Sequence, residues 1–533
     1  MQILWFVTIN NPAIIPTYDW IVNLKEMFVF MNKFVVAGLM AGLLSVGAMA
    51  YASPLVTSNI PLDSPYYQYI DKLEGMGYIE DITMEAKPYS RLDVAKWLVN
   101  MNTTGMEDYL LVYYNEMAQD LAPEMEYLKS GADSFDGNVK LRNAEVKYIY
   151  YDSDVPGYGY EGANASFQPL NKNNNGYRYG DGSNGIASFN ISGSINEDVA
   201  LSLTPRFSYD KDQNGDASLV EGYVKTHLGV WSIEAGKQPL LWGGKGHNDA
   251  FAYSNNATPH TMLKIGLLEP HTFDNGFLKF LGKANVNVFY TDMGDNRLVR
   301  FHKGTKPEPV DDMSLIGMRV DVAPTDYFTF GLERLSMVRK FNKDWFLGDN
   351  AENPEDEGWN DIAGIDAKLK FPGMQVYGSV YGEDQANYMP SKVAYSAGLY
   401  FPQLSSDGKW DLRLEAAKTT EAWYRHGNFV DGWTYKDDIM GSAMGGNARE
   451  FTANIHHYMD NGDRIGLTAV ATKFNRSSAS SMKMMEYQVN YAKKLNKNMY
   501  LDLAASLAKV ENKSNTDLDD NHKMVGAGLR WEF

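Results

Sequence analysis

The chain has 533 residues, no cysteine, 13% aromatic residues, 47 glycines and a formal net charge of −18. The absence of cysteine excludes a disulfide framework and a thiolate metal site, and the acidic balance argues against nucleic acid as a partner, because phosphate binding needs a basic surface. A mean hydropathy of −0.38 excludes a helical membrane bundle but not a membrane β-barrel, in which only alternate residues meet lipid and the loops are polar.

Residues 1–30 match no part of an export signal, and Lys25-Glu26 fits a translated ribosome-binding sequence. This stretch is therefore expected to be an extension upstream of a true start at Met31. Residues 31–52 read as a secretory signal peptide, with one lysine, a short apolar run and small residues at Ala48, Ala50 and Ala52. A helical domain is expected over 53–135, on the periplasmic side of the strands that succeed it. Tyr67, Ile70, Leu73 and Met76 recur at helical spacing and end at Gly75-Met-Gly77. A second helix follows Pro88-Tyr-Ser-Arg91, with Leu92, Ala95, Leu98 and Val99 on one face, and a third spans 106–128 with Leu110, Tyr113, Tyr114, Met117 and Leu121.

From about residue 138 the apolar period changes from 3.6 to 2 and stays there to the end. Ala144, Val146, Tyr148 and Tyr150 alternate with Asn143, Glu145 and Lys147; Ile316, Met318, Val320 and Val322 alternate with Gly317, Arg319 and Asp321. Trp410, Leu412, Leu414 and Ala416 alternate with Asp411, Arg413 and Glu415. Charges on the second face conflict with a sealed soluble core but suit a lumen. Eighteen such segments fill 136–533, from 138–151 to 522–533. Every second link is tight, as at 195–198, 324–326, 371–373, 460–463 and 495–497. The intervening links, near 152–184, 239–260, 292–312, 339–360 and 419–449, are long and read as polar. An even strand number with alternating short turns and long loops predicts an eighteen-stranded antiparallel outer-membrane β-barrel, with the long loops extracellular. Tyr148, Tyr150, Tyr290 and Trp531 are expected in the interfacial girdles that meet outer-membrane lipids. The last strand places Val525, Ala527, Leu529, Trp531 and Phe533 on one face. Its terminal aromatic resembles the closing signature that barrel assembly machinery reads.

The densest segment for chemistry is 236–259. Trp242, Tyr253 and Phe251 supply apolar faces, Lys245 and His247 charge, and Asn248, Asp249, Asn255 and Asn256 donors and acceptors. Rings that meet CH groups, with planar amides at the hydroxyl edge, are what a sugar needs. The same residues also suit an inward-folded loop whose asparagines bond their own turns. Trp242-Gly-Gly-Lys-Gly-His247 followed by Tyr253-Ser-Asn-Asn-Ala-Thr-Pro259 resembles the Wzi-type capsule assembly family, as do Lys72-Leu-Glu-Gly-Met-Gly77 and Pro88-Tyr-Ser-Arg91. The resemblance implies an eighteen-stranded barrel with a helical periplasmic bundle, acting as a lectin that tethers capsular polysaccharide. Gly243-Gly244 stands where the family has Gly-Pro, and no glycan-contact residue carries over. The 65–100 segment also looks like an S-layer-homology module, although that module's central tripeptide is missing and Arg91 is followed by Leu-Asp.

Lumen-facing ion networks are expected for Arg413 with Asp411 and Glu415, and for Arg319 with Asp321. Glu352, Glu355, Asp356 and Glu357 read as a solvated acidic loop, with a bridging cation as the alternative. His456 and His457 point to opposite faces of one strand, which argues against joint metal binding. His227, His247 and His260 have no serine and carboxylate at a fixed spacing, so hydrolase chemistry has no support, though a triad is spatial. The expectation is a non-catalytic outer-membrane protein without cofactor or metal that anchors surface polysaccharide through Trp242, Lys245, His247, Tyr253, Asn255 and Asn256. A porin whose lumen is narrowed by the 239–260 loop is the alternative.

Overall fold

The computed structural model describes residues 55–81, 83–131, 135–211, 214–246, 249–302, 305–339, 345, 358–386, 389–475, 481–513 and 515–533. The 1–30 extension, the 31–52 signal segment and the acidic stretch Glu352, Glu355, Asp356 and Glu357 lie outside the described residues.

Helices come first: α1 (Tyr66–Gly75), α2 (Arg91–Asn100), α3 (Asp108–Asp120) and α4 (Ala122–Ser130). The third predicted helix is thus divided at Leu121, because Pro123 enters the first turn of α4 and lacks the N–H that a continuous helix would use. α2 starts at a capping box: Ser90 Oγ accepts from the Asp93 N–H, and the Asp93 carboxylate accepts from the Ser90 N–H. The buried Arg91 donates to Asp120 and Glu124, each at 2.7 Å, and so clamps α2 to the corner between α3 and α4. Tyr69 and Tyr113 stack at 4.1 Å. The same core takes in Tyr458 of the sheet, so the helices share apolar packing with the barrel.

Eighteen antiparallel strands close the barrel. The first nine are β1 (Lys140–Asp152), β2 (Gly182–Ser194), β3 (Val199–Asp210), β4 (Asp216–Leu228), β5 (Trp231–Lys237), β6 (Thr261–Leu267), β7 (Lys283–Asp292), β8 (Ser314–Thr325) and β9 (Phe328–Val338). The remainder are β10 (Trp359–Phe371), β11 (Met374–Ala386), β12 (Met389–Phe401), β13 (Trp410–Thr419), β14 (Arg449–Tyr458), β15 (Arg464–Phe474), β16 (Met482–Asn496), β17 (Met499–Asn512) and β18 (Asp520–Glu532). Each pairs with its sequence neighbour, and β18 returns to β1 with Trp531 opposite Ala144 and Ala527 opposite Tyr148. Strand periodicity is read from the sequence over 276–291, well ahead of where the strand itself starts. Phe277–Leu281 forms a short 3-10 turn between Gly276 and Gly282, both at positive φ, before β7 begins at Lys283.

The alternation sorts as lipid requires. Val146, Tyr148, Tyr150, Phe207, Leu467 and Leu529 are exposed outside, while Arg319, Asp321, Glu333 and Lys368 are buried inside. Among the described residues no helix is long and apolar enough to cross a membrane; the strands are the spanning elements. His457 lies against the half-exposed Trp410 on the outer wall, and His456 turns inward to Asp411 at 2.9 Å.

Three inward glycines are each overlain by the aromatic ring directly across the strand pair: Phe289 over Gly317, Tyr381 over Gly364 and Tyr377 over Gly398. A Cβ on Gly364 would sit 2.3 Å from the Tyr381 ring, so the missing side chain lets the ring lie along the wall. Gly364→Val should therefore cost about 1–3 kcal/mol through overpacking. The check is the temperature at which the folded, fast-migrating gel band disappears; an unchanged temperature would mean the ring moves aside freely.

Candidate functional site

The lumen is filled in two storeys. At the end away from the helices, the loops 153–181, 238–260 and 420–448 fold inward and pack on the wall. Trp423 and Trp433 of the last loop, Phe251 of the middle one and Phe167 of the first are buried in one apolar cluster with Phe289, Leu335 and Ile362 of the strands. Trp433 Nε1 donates to the Ala252 carbonyl at 2.8 Å, and the Tyr424 hydroxyl donates to the Phe251 carbonyl at 2.6 Å. The loop 420–448 was expected to be a polar extracellular link; its aromatic and methionine residues make it interior packing instead. The signal lay in the segment itself, where Trp423, Tyr424, Phe429, Trp433 and Tyr435 crowd a stretch without strand periodicity.

The middle loop runs down the lumen towards the helices. Leu241–Trp242 pairs antiparallel with Ala86–Lys87, a strand that rises between α1 and α2. Gly243 turns the chain at φ +75°, and a Cβ there would sit 2.3 Å from the Tyr381 hydroxyl, so only glycine fits.

At the helical end the filling is ionic. Lys245 of the loop reaches Asp71 at 3.0 Å and Glu74 at 3.5 Å, both on α1. Arg413 of β13 meets the other Asp71 oxygen at 2.8 Å. Lys368 of β10, fully buried, contacts Glu74 at 3.1 Å, Glu85 at 2.9 Å and the Thr83 hydroxyl at 2.8 Å. Burial alone would raise these carboxyls, but Lys245 and Arg413 hold Asp71 well below the usual carboxylate range. Lys368 and Lys245 likewise lower Glu74, and Lys368 and Lys87 bring Glu85 down to about 2. Asp249 goes the other way: burial, with Glu415 nearby, pushes it up to about 8. The predicted Arg319 network extends to Asp321 at 2.6 Å, Asp366 at 2.7 Å and Glu333 at 3.0 Å. Arg413, by contrast, serves α1, while Asp411 bonds His456 and the Tyr458 and Tyr400 hydroxyls.

The residues proposed from sequence are strung along the loop and do not converge on one cleft. Trp242 is 2% exposed, its ring 5.1 Å from Phe289 and its backbone N–H donating to the Tyr253 carbonyl. Tyr253 is equally buried and bonds His260 Nδ1 at 2.7 Å; burial pulls that imidazole down to about 3. Lys245 sits in the ionic storey. Asn255 and Asn256, half-buried at the loop end, donate to the carbonyls of Asn173 and Ile439 at 2.9 Å each, and so tie the three loops together. His247 and Asn248 lie outside the described residues. The missed residues are Asp71, Glu74, Glu85 and Lys368; Glu74 lies within the Lys72–Gly77 motif, but no local pattern marks any of the four as an ion-pair partner. His227 bonds Asp198 and the Gly229 carbonyl, and His260 bonds Tyr253; among the described residues neither bonds a serine hydroxyl. Among the described residues no group of three or more His, Asp or Glu is placed to hold a metal ion.

A family model described as capsule assembly protein Wzi matches residues 154–524. A 55.8 kDa protein of the cps region of Klebsiella pneumoniae is 21% identical over 267 residues, which are 46% of this chain and 51% of that relative, about half its length. Among solved structures, the Escherichia coli outer-membrane protein Wzi, titled as involved in group 1 capsule assembly and as a carbohydrate-binding β-barrel, superposes with a TM-score of 0.62. That match has 17% identity and covers 90% of this chain and 99% of that one.

Two pH effects arise from the ionic storey. Carboxyls held below their unfolded values stabilise the fold above about pH 4. That stability is lost as pH falls towards about 2 through the Asp71, Glu74 and Glu85 carboxyls. Thermal unfolding in detergent should show this fall, and Glu85→Gln should flatten it; equal pH profiles would remove Glu85 from the account. Asp249 has the opposite sign: its raised carboxyl favours the fold at low pH, and this contribution fades as pH rises through about 8. Asp249→Asn should accordingly gain on the parent protein as the buffer is made alkaline, measured by the same melting series.

Proposed function

The chain belongs to the family of the capsule assembly protein Wzi, and from that membership we propose that it is a non-catalytic outer-membrane protein that binds surface polysaccharide and holds it at the cell. The observation that carries the reading beyond family is the closed lumen. Trp423, Trp433 and Phe251 are fully buried in packing that joins three loops to the wall, which suits a rigid display surface more than a conduit. In this reading the helical end faces the periplasm and the loop end faces outward. The exposed apolar belt meets outer-membrane lipids, and the strand ending at Phe533 is the one that barrel assembly machinery recognises. Asn255 and Asn256 lie where they organise the outward loops, with Trp242, Lys245 and Tyr253 as the frame beneath. A repeating polymer needs no deep pocket, because many weak contacts sum by avidity.

In a strain lacking this gene, total polysaccharide should be unchanged while the cell-bound fraction shifts into the medium. Purified protein in planar bilayers should pass no steady current. Unaltered partition together with an open, steady conductance would replace this reading with a porin.

A further inference from the structure

The connection from β6 to β7 lies at the helical end and is applied to the outside of the barrel. His271–Thr272 first runs alongside Ala284 and Lys283 of β7. Phe273 and Leu281 then pack on Ala284, Val286, Val320 and Val322. These four belong to the outward face: Val286 pairs with Val320 and Ala284 with Val322, alternating with the inward Arg319 and Asp321. Val146, outward on bare wall, is 54% exposed, whereas Val286 is 4% exposed. The connection therefore covers wall that lipid would otherwise meet.

Between those two contacts the chain turns away from the wall. None of Phe277–Leu281 is buried. Phe277 is 89% exposed, the most of any large apolar side chain among the described residues, and Phe280 is 61% exposed. Their rings stand edge to face at 5.8 Å. The turn that carries them is fixed. The Phe273 N–H donates to the Gly282 carbonyl at 2.8 Å, and the Gly282 N–H to the Lys279 carbonyl at 3.1 Å. Gly282 also meets the end of β8 so closely that a Cβ would lie 2.3 Å from the Ala323 carbonyl oxygen. Two rings held out in water would oppose the hydrophobic effect, and such an exposed apolar patch marks a surface that meets a partner or a membrane. Here the patch continues the lipid-facing wall, which identifies the partner as lipid. Lys279 between the rings is exposed and forms no ion pair with the described residues. Its apolar stem lets the ammonium reach a phosphate layer while the neighbouring rings stay in hydrocarbon.

We propose that residues 276–282 are a membrane anchor for one side of the barrel. Phe277 and Phe280 enter the boundary between headgroups and acyl chains in the leaflet at the helical end, and Lys279 reaches the phospholipid phosphates. The proposal needs only the membrane barrel and does not rest on polysaccharide binding. Such a foot fixes the height of β7 and β8 in the bilayer and resists an outward pull on the loops.

The chain has no cysteine, so a nitroxide can be placed at one position at a time. Phe277→Cys and Phe280→Cys are labelled in the full chain and reconstituted in vesicles of phosphatidylethanolamine and phosphatidylglycerol. Collisions are read with oxygen, which partitions into lipid, and with a water-soluble nickel chelate. Relative to Glu126→Cys, exposed on α4, both labels should lose nickel collisions and gain oxygen collisions. Asn275→Cys, at an exposed position beside the turn, should show the same protection. It should lose that protection when Phe277→Ser and Phe280→Ser are added while the folded gel band persists. Nickel collisions at residues 277 and 280 equal to those of the α4 label place the turn in water and overturn the proposal. Shielding from both colliders means that protein covers the rings, which also overturns it. Protection at residue 275 that survives the double serine change shows that the rings do not hold the turn in lipid, and it overturns the anchor as well.

Discussion

Charge inside a closed barrel must be neutralised in place, because desolvating an unpaired ion costs several kcal/mol. The lattice of Asp71, Glu74 and Glu85 with Lys245, Lys368 and Arg413 meets that demand with groups from three separate parts of the chain. Neither the helical domain nor the barrel wall carries a balanced set alone. The helices thus dock at one position and depth, and the 238–260 loop must reach down the lumen to bring Lys245. Gly75 of α1 shows how close that docking is: a Cβ there would lie 2.7 Å from Pro402.

Above this ionic layer the apolar storey answers a different problem. Loops that hang free over a wide barrel would leave the lumen wet, and their ordering would be costly in entropy. Here they share buried tryptophans and backbone hydrogen bonds, such as Ser254 N–H to the Met440 carbonyl at 2.8 Å. The outer surface is consequently built on a buried apolar cluster that joins the loops to the wall. A protein that holds a polymer against solvent flow gains from such stiffness, because contacts that are individually weak add only if they stay in register.

Much of the barrel is legible residue by residue. Val525, Ala527 and Leu529 against Gly526, Gly528 and Arg530 record, at adjacent positions, the contrast between lipid and lumen, and the same contrast recurs along the barrel, with Arg334 and Asp361, paired on the outer face of β9 and β10, as an exception. The candidate loop was legible as composition but not as geometry. Trp242, Lys245, Tyr253, Asn255 and Asn256 share one motif, yet they are divided among the apolar storey, the ionic storey and the loop tie. The loop 420–448 was misplaced for a related reason: without period 2 it resembles any long link, and only the volume left inside the barrel makes its tryptophans interior.

By itself the sequence determined the strand number, the order of turns and loops, the outward face of each strand and the family motif. These are written in spacing along the chain, over a few residues at a time. The tertiary structure alone decided which charges meet, since Lys368 and Glu74 lie 294 residues apart and come together only when the sheet closes. It also decided that three loops fold into the lumen, because the space between elements has no sequence of its own.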